Sequence, residues 1–186
     1  MRTSKHELAR IHQGLTRAAC EVPYYPRWDG YIASERDAKR DPTPVPAGLF
    51  ARLVRYARSL GYPVHVRHTS DELGALGHTL VGRGGVIDIA ADMNEAARCR
   101  VLIHEIGHAL TRGYLTHIGG DRFEEVAVES SSAIVCGTLG ISNGVFATRF
   151  CAVQSRQDPY MMAAAQPFAV ELAQVILKGI GHEVTA

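Results

Sequence analysis

The sequence predicts an α+β domain, in which a small antiparallel or mixed sheet packs on a central helix and on the helices that follow it. Short segments with strand-like alternation fall together in the first half of the chain. Longer segments with apolar residues at helical spacing lie on both sides of them. The chain has 186 residues, of which 46% are hydrophobic and 21% are charged, so it can bury the core of one domain.

The first 60 residues are predicted to be helical and irregular. A polar helix over residues 4–19 is followed by an irregular, proline-rich stretch from 21 to 46. A basic amphipathic helix over 49–60 then ends at Gly61. Its arginines are typical of a solvated helix face rather than of a binding patch.

The sheet and the remaining helices are predicted after residue 60. Strands are expected at 64–67, 78–81 and 85–90, and the glycines at 82, 84 and 85 suit a tight turn between the last two strands. Three helices are expected to follow, at 96–110, from about 121 to 139, closed by Gly140, and at 159–177, closed by Gly179. The histidines of the strand region, His65, His68 and His78, are interpreted as structural or surface residues.

The most informative stretch is His104-Glu105-Ile106-Gly107-His108, which has the form H-E-x-x-H. Residues four apart lie on one face of a helix, so the two imidazoles can bind one metal ion. Glu105 is offset around the helix and can act as a general base beside that ion. The pattern therefore indicates a zinc site whose ligands are His104 and His108.

The surrounding sequence supports a helix at the motif. Apolar residues recur at helical spacing through 96–110. Asp92 and Glu95 have the spacing of an N-terminal capping pair, and Gly113 is a natural stop. The motif is thus predicted to lie inside a helix, as two-histidine coordination requires.

A third zinc ligand is expected from the helix that follows. Glu125 comes 17 residues after His108, which leaves room for a turn and an antiparallel return. Glu125 is favoured as the ligand and Glu129, one turn later, as the group that orients a ligand histidine, although the opposite assignment stays open. Glu124, with Asp121, is interpreted as a solvated helix cap. His117 is a weaker rival because its spacing does not match the three-histidine motif.

Three segments together resemble a known family: residues 85–93, the motif helix over 101–110, and 125–141 with its closing Leu-Gly-Ile. They are similar to the ImmA/IrrE-type and ArdC-type zinc metallopeptidases, which are gluzincin-like. In that pattern Glu125 matches the metal-ligand glutamate and Glu129 the acidic residue that follows it, while Val128 stands where alanine is usual. Residues 163–177 resemble the final helix of the family, so the likeness covers about 85–177.

This resemblance implies a zincin-like domain that cleaves a regulator or acts on mobile elements against restriction. We expect one domain over 1–186, with 1–60 an N-terminal helical and proline-rich extension and 61–180 the catalytic core. Zinc on His104, His108 and Glu125 would activate water, and Glu105 would move its proton to the leaving amine. The donors considered for the oxyanion are Tyr114, His117 and Tyr160, and the strand at 86–90 is a candidate for pairing with an extended substrate peptide.

Composition limits the partners. The net charge of +1 does not support a nucleic-acid surface, although basic residues between 36 and 58 leave nucleic-acid contact open, and no membrane span is expected. The four cysteines, at 20, 99, 136 and 151, form no C-x-x-C pair, and a reduced, cytoplasmic setting is expected. The expected partner is a protein or peptide substrate. A binding module without hydrolysis, or a hydrolase of another amide, remains as an alternative.

Overall fold

The computed structural model describes residues 43–68, 76–82, 84–112, 114–141 and 158–182. In these parts of the chain it contains five helices and a three-stranded mixed sheet, so the predicted α+β class is confirmed. The helix predicted over 4–19, most of the proline-rich stretch and Gly113 lie outside the described residues. The described elements are α1 (Leu49–Ser59), β1 (Val64–His68), β2 (Gly77–Leu80), β3 (Val86–Ala90), α2 (Glu95–Thr111), α3 (Tyr114–Gly119), α4 (Asp121–Leu139) and α5 (Pro159–Gly179).

The sheet has the strand order β1-β3-β2, with β1 parallel and β2 antiparallel to β3. Because β3 is the central strand, its hydrogen-bonding groups on both sides already face neighbours. The prediction that 86–90 could pair with a substrate peptide is therefore wrong. Ile87, Ile89 and Ala90 of β3 are buried, which fits a central strand with one face against a core.

The motif helix α2 begins and ends with different residues from those predicted. Asn94 is its N-cap and accepts a hydrogen bond from the backbone N–H of Ala97 at 3.0 Å, so the Asp92–Glu95 capping pair is wrong. Asn94 takes the N-cap position because its backbone is extended and it directly precedes the first helical residue. At the other end Arg112, with φ 52°, adopts the left-handed conformation that the sequence had assigned to a glycine.

The ends of α4 and α5 also depart in part from the prediction. Gly120 precedes α4 without any side-chain cap, so the capping role of Asp121 and Glu124 is wrong. At its C-terminus α4 ends at Gly140, with φ 70°, as predicted. The last helix, α5, continues through Gly179 and is followed by Ile180, two residues beyond the predicted end.

The buried apolar residues form two clusters. The larger one joins α1, the sheet, α2 and the inward faces of α4 and α5, so α1 packs into the same core as the elements after it. The smaller one lies between α3, α4 and α5, where Phe123 and Phe168 make an edge-to-face contact at 5.7 Å between ring centroids. Helix α5 is long and apolar enough to cross a membrane by length and composition, and it contributes buried residues to both clusters.

Candidate metal centre

His104 and His108 lie on one face of α2, one turn apart, with their Nε2 atoms 3.1 Å from each other. Their rings meet edge to face with centroids 4.9 Å apart. Both side chains are mostly buried, with 19% and 17% of their surfaces exposed. The two Nε2 atoms are thus brought to a common point.

Glu125 supplies an oxygen to the same point from α4. Its Oε2 lies 3.5 Å from Nε2 of His104, and its Oε1 lies 3.2 Å from Nε2 of His108. Four ligands at zinc distances of about 2.0–2.1 Å have ligand-to-ligand separations of about 3.3–3.4 Å in a tetrahedron. The Nε2–Nε2 separation of 3.1 Å is close to this value, and Glu125 approaches the two histidines with a different oxygen for each, at 3.5 and 3.2 Å. In the described part of the chain these three residues form a group able to hold a metal ion.

The Nδ1 atoms of both histidines face buried glutamates. Nδ1 of His104 lies 2.7 Å from Oε2 of Glu129, and Nδ1 of His108 lies 3.0 Å from Oε1 of Glu124. His104, the earlier histidine of α2, pairs with Glu129, the later glutamate of α4, because the two helices are antiparallel. A carboxylate at Nδ1 fixes the proton there and leaves Nε2 as a lone pair, which is the tautomer that a metal needs. Glu129 therefore orients His104, whereas Glu125 faces the Nε2 atoms.

Glu124 is not the solvated cap that its position in the sequence had indicated. It is only 4% exposed, and its two oxygens accept four hydrogen bonds. Oε1 accepts from His108 and from the hydroxyl of Thr111 at 2.7 Å, while Oε2 accepts from the backbone N–H and the hydroxyl of Thr116 at 2.9 and 2.6 Å. The cap interpretation is wrong because α2 and α3 cover this end of α4 and supply donors that no local pattern reveals.

The electrostatics of the metal-free cluster follow from this crowding of acids and bases. Burial acts to lower the pKa of both histidines, but hydrogen bonds and charges of the glutamates outweigh it, so the pKa of His104 is raised and that of His108 is raised well above its ordinary value. Burial would raise the pKa of Glu125, yet the two histidines hold it at about 2. The pKa of Glu124 is lowered by its hydrogen bonds despite burial. Glu124 and Glu125 are therefore ionised beside histidines that tend to hold a proton, and a metal ion at Nε2 would have to displace that proton.

Glu105 points from α2 toward the sheet and is 6% exposed. Its Oε2 lies 2.6 Å from the hydroxyl of Thr79 on β2. The same hydroxyl is 3.1 Å from the backbone carbonyl of Glu105. Gly77, on the same face of β2 as Thr79, lies directly against the Glu105 side chain. The sequence had not singled out either β2 residue, and only the strand register could have revealed them.

The other residues considered from the sequence differ in exposure and packing. His117 is exposed on α3, and the ligand group formed by described residues does not include it. Tyr114 is half-buried at the start of α3 and packs against the smaller core cluster, while Tyr160 is 84% exposed at the start of α5. The strand histidines are surface residues, as interpreted, and His65 faces Asp88 at 3.3 Å.

Comparison of the chain with protein-family models, with curated proteins and with solved structures gave no match.

Proposed function

We propose that this protein is a zinc-dependent metallopeptidase with a zincin-like domain of the ImmA/IrrE and ArdC type. The observation that carries the proposal is the convergence of His104, His108 and Glu125, whose ligand atoms lie within 4.8 Å of one another, with a carboxylate at each histidine Nδ1. Two imidazoles and a carboxylate, with a fourth corner left over, are the donor set of catalytic zinc sites in peptidases. The family resemblance of the motif supports the same assignment.

The residues of the chain divide the chemistry between them. A zinc ion in this site would supply Lewis-acid polarisation and would lower the pKa of water so that it can lose a proton near neutral pH. His104, His108 and Glu125 would hold the ion, and Glu124 and Glu129 keep the histidine lone pairs directed at it. Glu105, one residue after His104, is the base that takes the proton of the attacking water and returns it to the leaving amine.

A peptide substrate is favoured by the position of β2. This strand is an outer strand of the described sheet and lies beside α2 through the contact of Thr79 with Glu105. Leu80, at the end of β2, is 51% exposed. An extended peptide that added to β2 by backbone hydrogen bonding would run past the motif helix, so β2 takes the role first expected for β3. Cys99 and Cys136 are buried and form no disulfide within the described residues, which is consistent with action in the reducing cytoplasm.

The first test is metal content. Wild-type protein, prepared without a metal-binding tag, is expected to hold one zinc ion per chain by mass spectrometry. His104→Ala and Glu125→Ala should lose it, and Glu129→Ala should largely keep it, because Glu129 lies at Nδ1 rather than at Nε2. A wild-type protein that stays metal-free after incubation with zinc would contradict the metalloenzyme proposal.

The second test separates an enzyme from a binding module. Wild type and Glu105→Gln are incubated with a library of quenched fluorogenic peptides after zinc loading. The wild type should cleave members of the library, whereas Glu105→Gln should retain zinc and lose cleavage, because an amide cannot take up the proton. Zinc-loaded wild type that cleaves no more than Glu105→Gln would instead support a non-catalytic role.

A further inference from the structure

We propose that strand β2 positions the carboxylate of Glu105 through the hydroxyl of Thr79 and through the missing side chain at Gly77. The inference deepens the proposed function and rests on it, because Glu105 matters as a base only in an enzyme. Thr79 is assigned as a positioning residue: it acts through Glu105 and needs no contact with substrate. Its effect should therefore be seen on turnover and not on the ability to hold zinc.

The first support is the hydrogen bond itself. A threonine hydroxyl has one proton, and two acceptors of Glu105 lie within its reach, Oε2 at 2.6 Å and the backbone carbonyl at 3.1 Å. The carboxylate is the closer acceptor and carries charge, so it takes the proton and forms the stronger bond. This bond comes from the sheet and not from the helix that carries Glu105, which ties the carboxylate to a second element.

The second support is the tight packing at Gly77. A Cβ atom there would stand 2.8 Å from Oε1 and 3.0 Å from Cγ of Glu105, and 2.5 Å from Cγ1 of Val101. Val101 is β-branched and confined to few rotamers in a helix, so it cannot move aside freely. The position next to Glu105 therefore has room for glycine alone. Any larger residue would push the carboxylate out of its place.

The alternation of β2 explains why both contacts come from one strand. Gly77 and Thr79 are two residues apart and face α2, whereas His78 and Leu80 are exposed on the opposite face. The antiparallel register with β3, in which Thr79 pairs with Ile87, holds this face toward the motif helix. A slip by one residue would replace both contacts, so the register of the hairpin sets the position of the base.

The consequence for catalysis is geometric. A general base must lie within hydrogen-bond reach of the proton that it takes, and misplacement by about 1 Å can cost about a hundredfold in rate. The glutamate side chain has three rotatable bonds, and the hydroxyl at Oε2 removes much of that freedom. Because Oε2 accepts from Thr79, Oε1 is the oxygen left to take the proton.

The experiment compares full-length, zinc-loaded wild type with Thr79→Val, Thr79→Ser, Gly77→Ala and Glu105→Gln. Thr138→Val is the matched control, because the Thr138 hydroxyl donates to the carbonyl of Ile134 on the exposed surface of α4. Zinc content is measured on each protein, and kcat and KM are measured with the best-cleaved quenched peptide. A second readout, independent of turnover, is the affinity of the cobalt-substituted protein for acetohydroxamic acid. Its hydroxyl can donate to a carboxylate beside the metal, and binding is followed by visible absorption.

We expect Thr79→Val and Gly77→Ala to keep the metal and to lose about ten- to a hundredfold in kcat, with KM within about twofold of wild type. The same two variants should bind acetohydroxamic acid more weakly, as Glu105→Gln does. Thr79→Ser restores the hydroxyl and should restore both readouts, and Thr138→Val should match wild type. This pattern would separate positioning of the base from a general loss of structure.

Other patterns overturn the inference. Wild-type values of kcat and hydroxamate affinity in Thr79→Val, while Glu105→Gln is inactive, would refute it and leave the proposed function intact. Equal losses in Thr79→Val and Thr79→Ser, accompanied by loss of zinc, would show a structural role only. A wild type without metal, or as inactive as Glu105→Gln, refutes the proposed function and this inference with it.

Discussion

The side chain of Val128 occupies the space beside Gly107, where an added Cβ atom would stand only 2.7 Å from Cγ1 of the valine. Gly107 lies on α2 just before His108, and Val128 lies on α4 just before Glu129. Both residues sit where the two helices must approach for the glutamates of α4 to reach the histidines of α2. The valine that departs from the alanine of the resembled family pattern thus has a packing role here: it fills the space left by the motif's own glycine.

Gly107→Ala is therefore expected to force α2 and α4 apart. Overpacking of a closed core costs about 1–3 kcal/mol in the free energy of unfolding, and the displaced glutamates should weaken zinc binding as well. Chemical denaturation and metal competition titration measure the two effects. Val128→Ala in the same chain should recover much of both losses, which a double-mutant cycle quantifies.

A matched control for this substitution lies on α4. Gly137 has no atom within 4 Å of an added Cβ, and it lies inside the helix. Gly137→Ala should therefore stabilise the protein by about 0.5–1 kcal/mol. If Gly107→Ala were as well tolerated as Gly137→Ala, the close helix approach would not be what holds the centre together.

The sequence was most informative where a local pattern determines the outcome. The spacing of His104 and His108, one turn apart on a periodic helix, predicted their common face, and the glycine at 140 predicted the end of α4. Glu125 and Glu129 were placed on the correct side because an antiparallel return of the chain brings a later helix back along α2. Each of these predictions needed only helical geometry and a short connection.

The features that the sequence did not predict depend on contacts between distant segments. The local sequence around Glu124 is the same as that of a solvated helix cap. Only the hydrogen-bond donors on α2 and α3 make Glu124 a buried acceptor that holds His108 in place. The central position of β3 depends on strand order, which alternation of side chains does not encode. The contact of Thr79 with Glu105 depends on hairpin register in the same way.

Glu124→Gln should weaken zinc binding although it keeps the size of the side chain. The two oxygens of Glu124 face four donors, so an amide nitrogen in either position would meet a donor instead of an acceptor. Loss of such a histidine partner typically costs about ten- to a hundredfold in metal affinity. Competition with a chromophoric chelator measures the change. Glu95→Gln, on the exposed first turn of α2, is the control and should bind zinc as wild type does.

Arg112→Gly is expected to stabilise the protein. Arg112 closes α2 with φ 52° and is exposed, and its backbone N–H donates to the carbonyl of His108 at 2.9 Å. The left-handed conformation costs a residue with a Cβ about 1–2 kcal/mol, and glycine avoids this cost while losing more chain entropy on folding. A net gain of about 0.5–1 kcal/mol should follow, measured by urea denaturation. Arg55→Gly, in the middle of α1, should instead destabilise the protein by about 1 kcal/mol. If both variants changed the free energy of unfolding in the same direction, the argument from backbone strain at Arg112 would be contradicted.

Removal of zinc should make the stability of the protein fall more steeply as the pH rises. In the metal-free protein the pKa values of His104 and His108 are raised above 6.5 because the glutamates outweigh burial. A group whose pKa is higher in the folded protein than in the unfolded chain stabilises the folded state. This stabilisation is complete at pH values below the unfolded pKa and is lost as the pH rises through the folded pKa. The Tm of the metal-free protein should thus fall as the pH rises above about 6.5. Zinc binds neutral imidazoles, so the increase in Tm caused by saturating zinc should grow over that range.

Differential scanning calorimetry with chelator or with zinc measures both curves, and His104→Ala should lose the zinc-dependent increase. Two parallel curves for the wild type would contradict the coupling of protons and metal at this site.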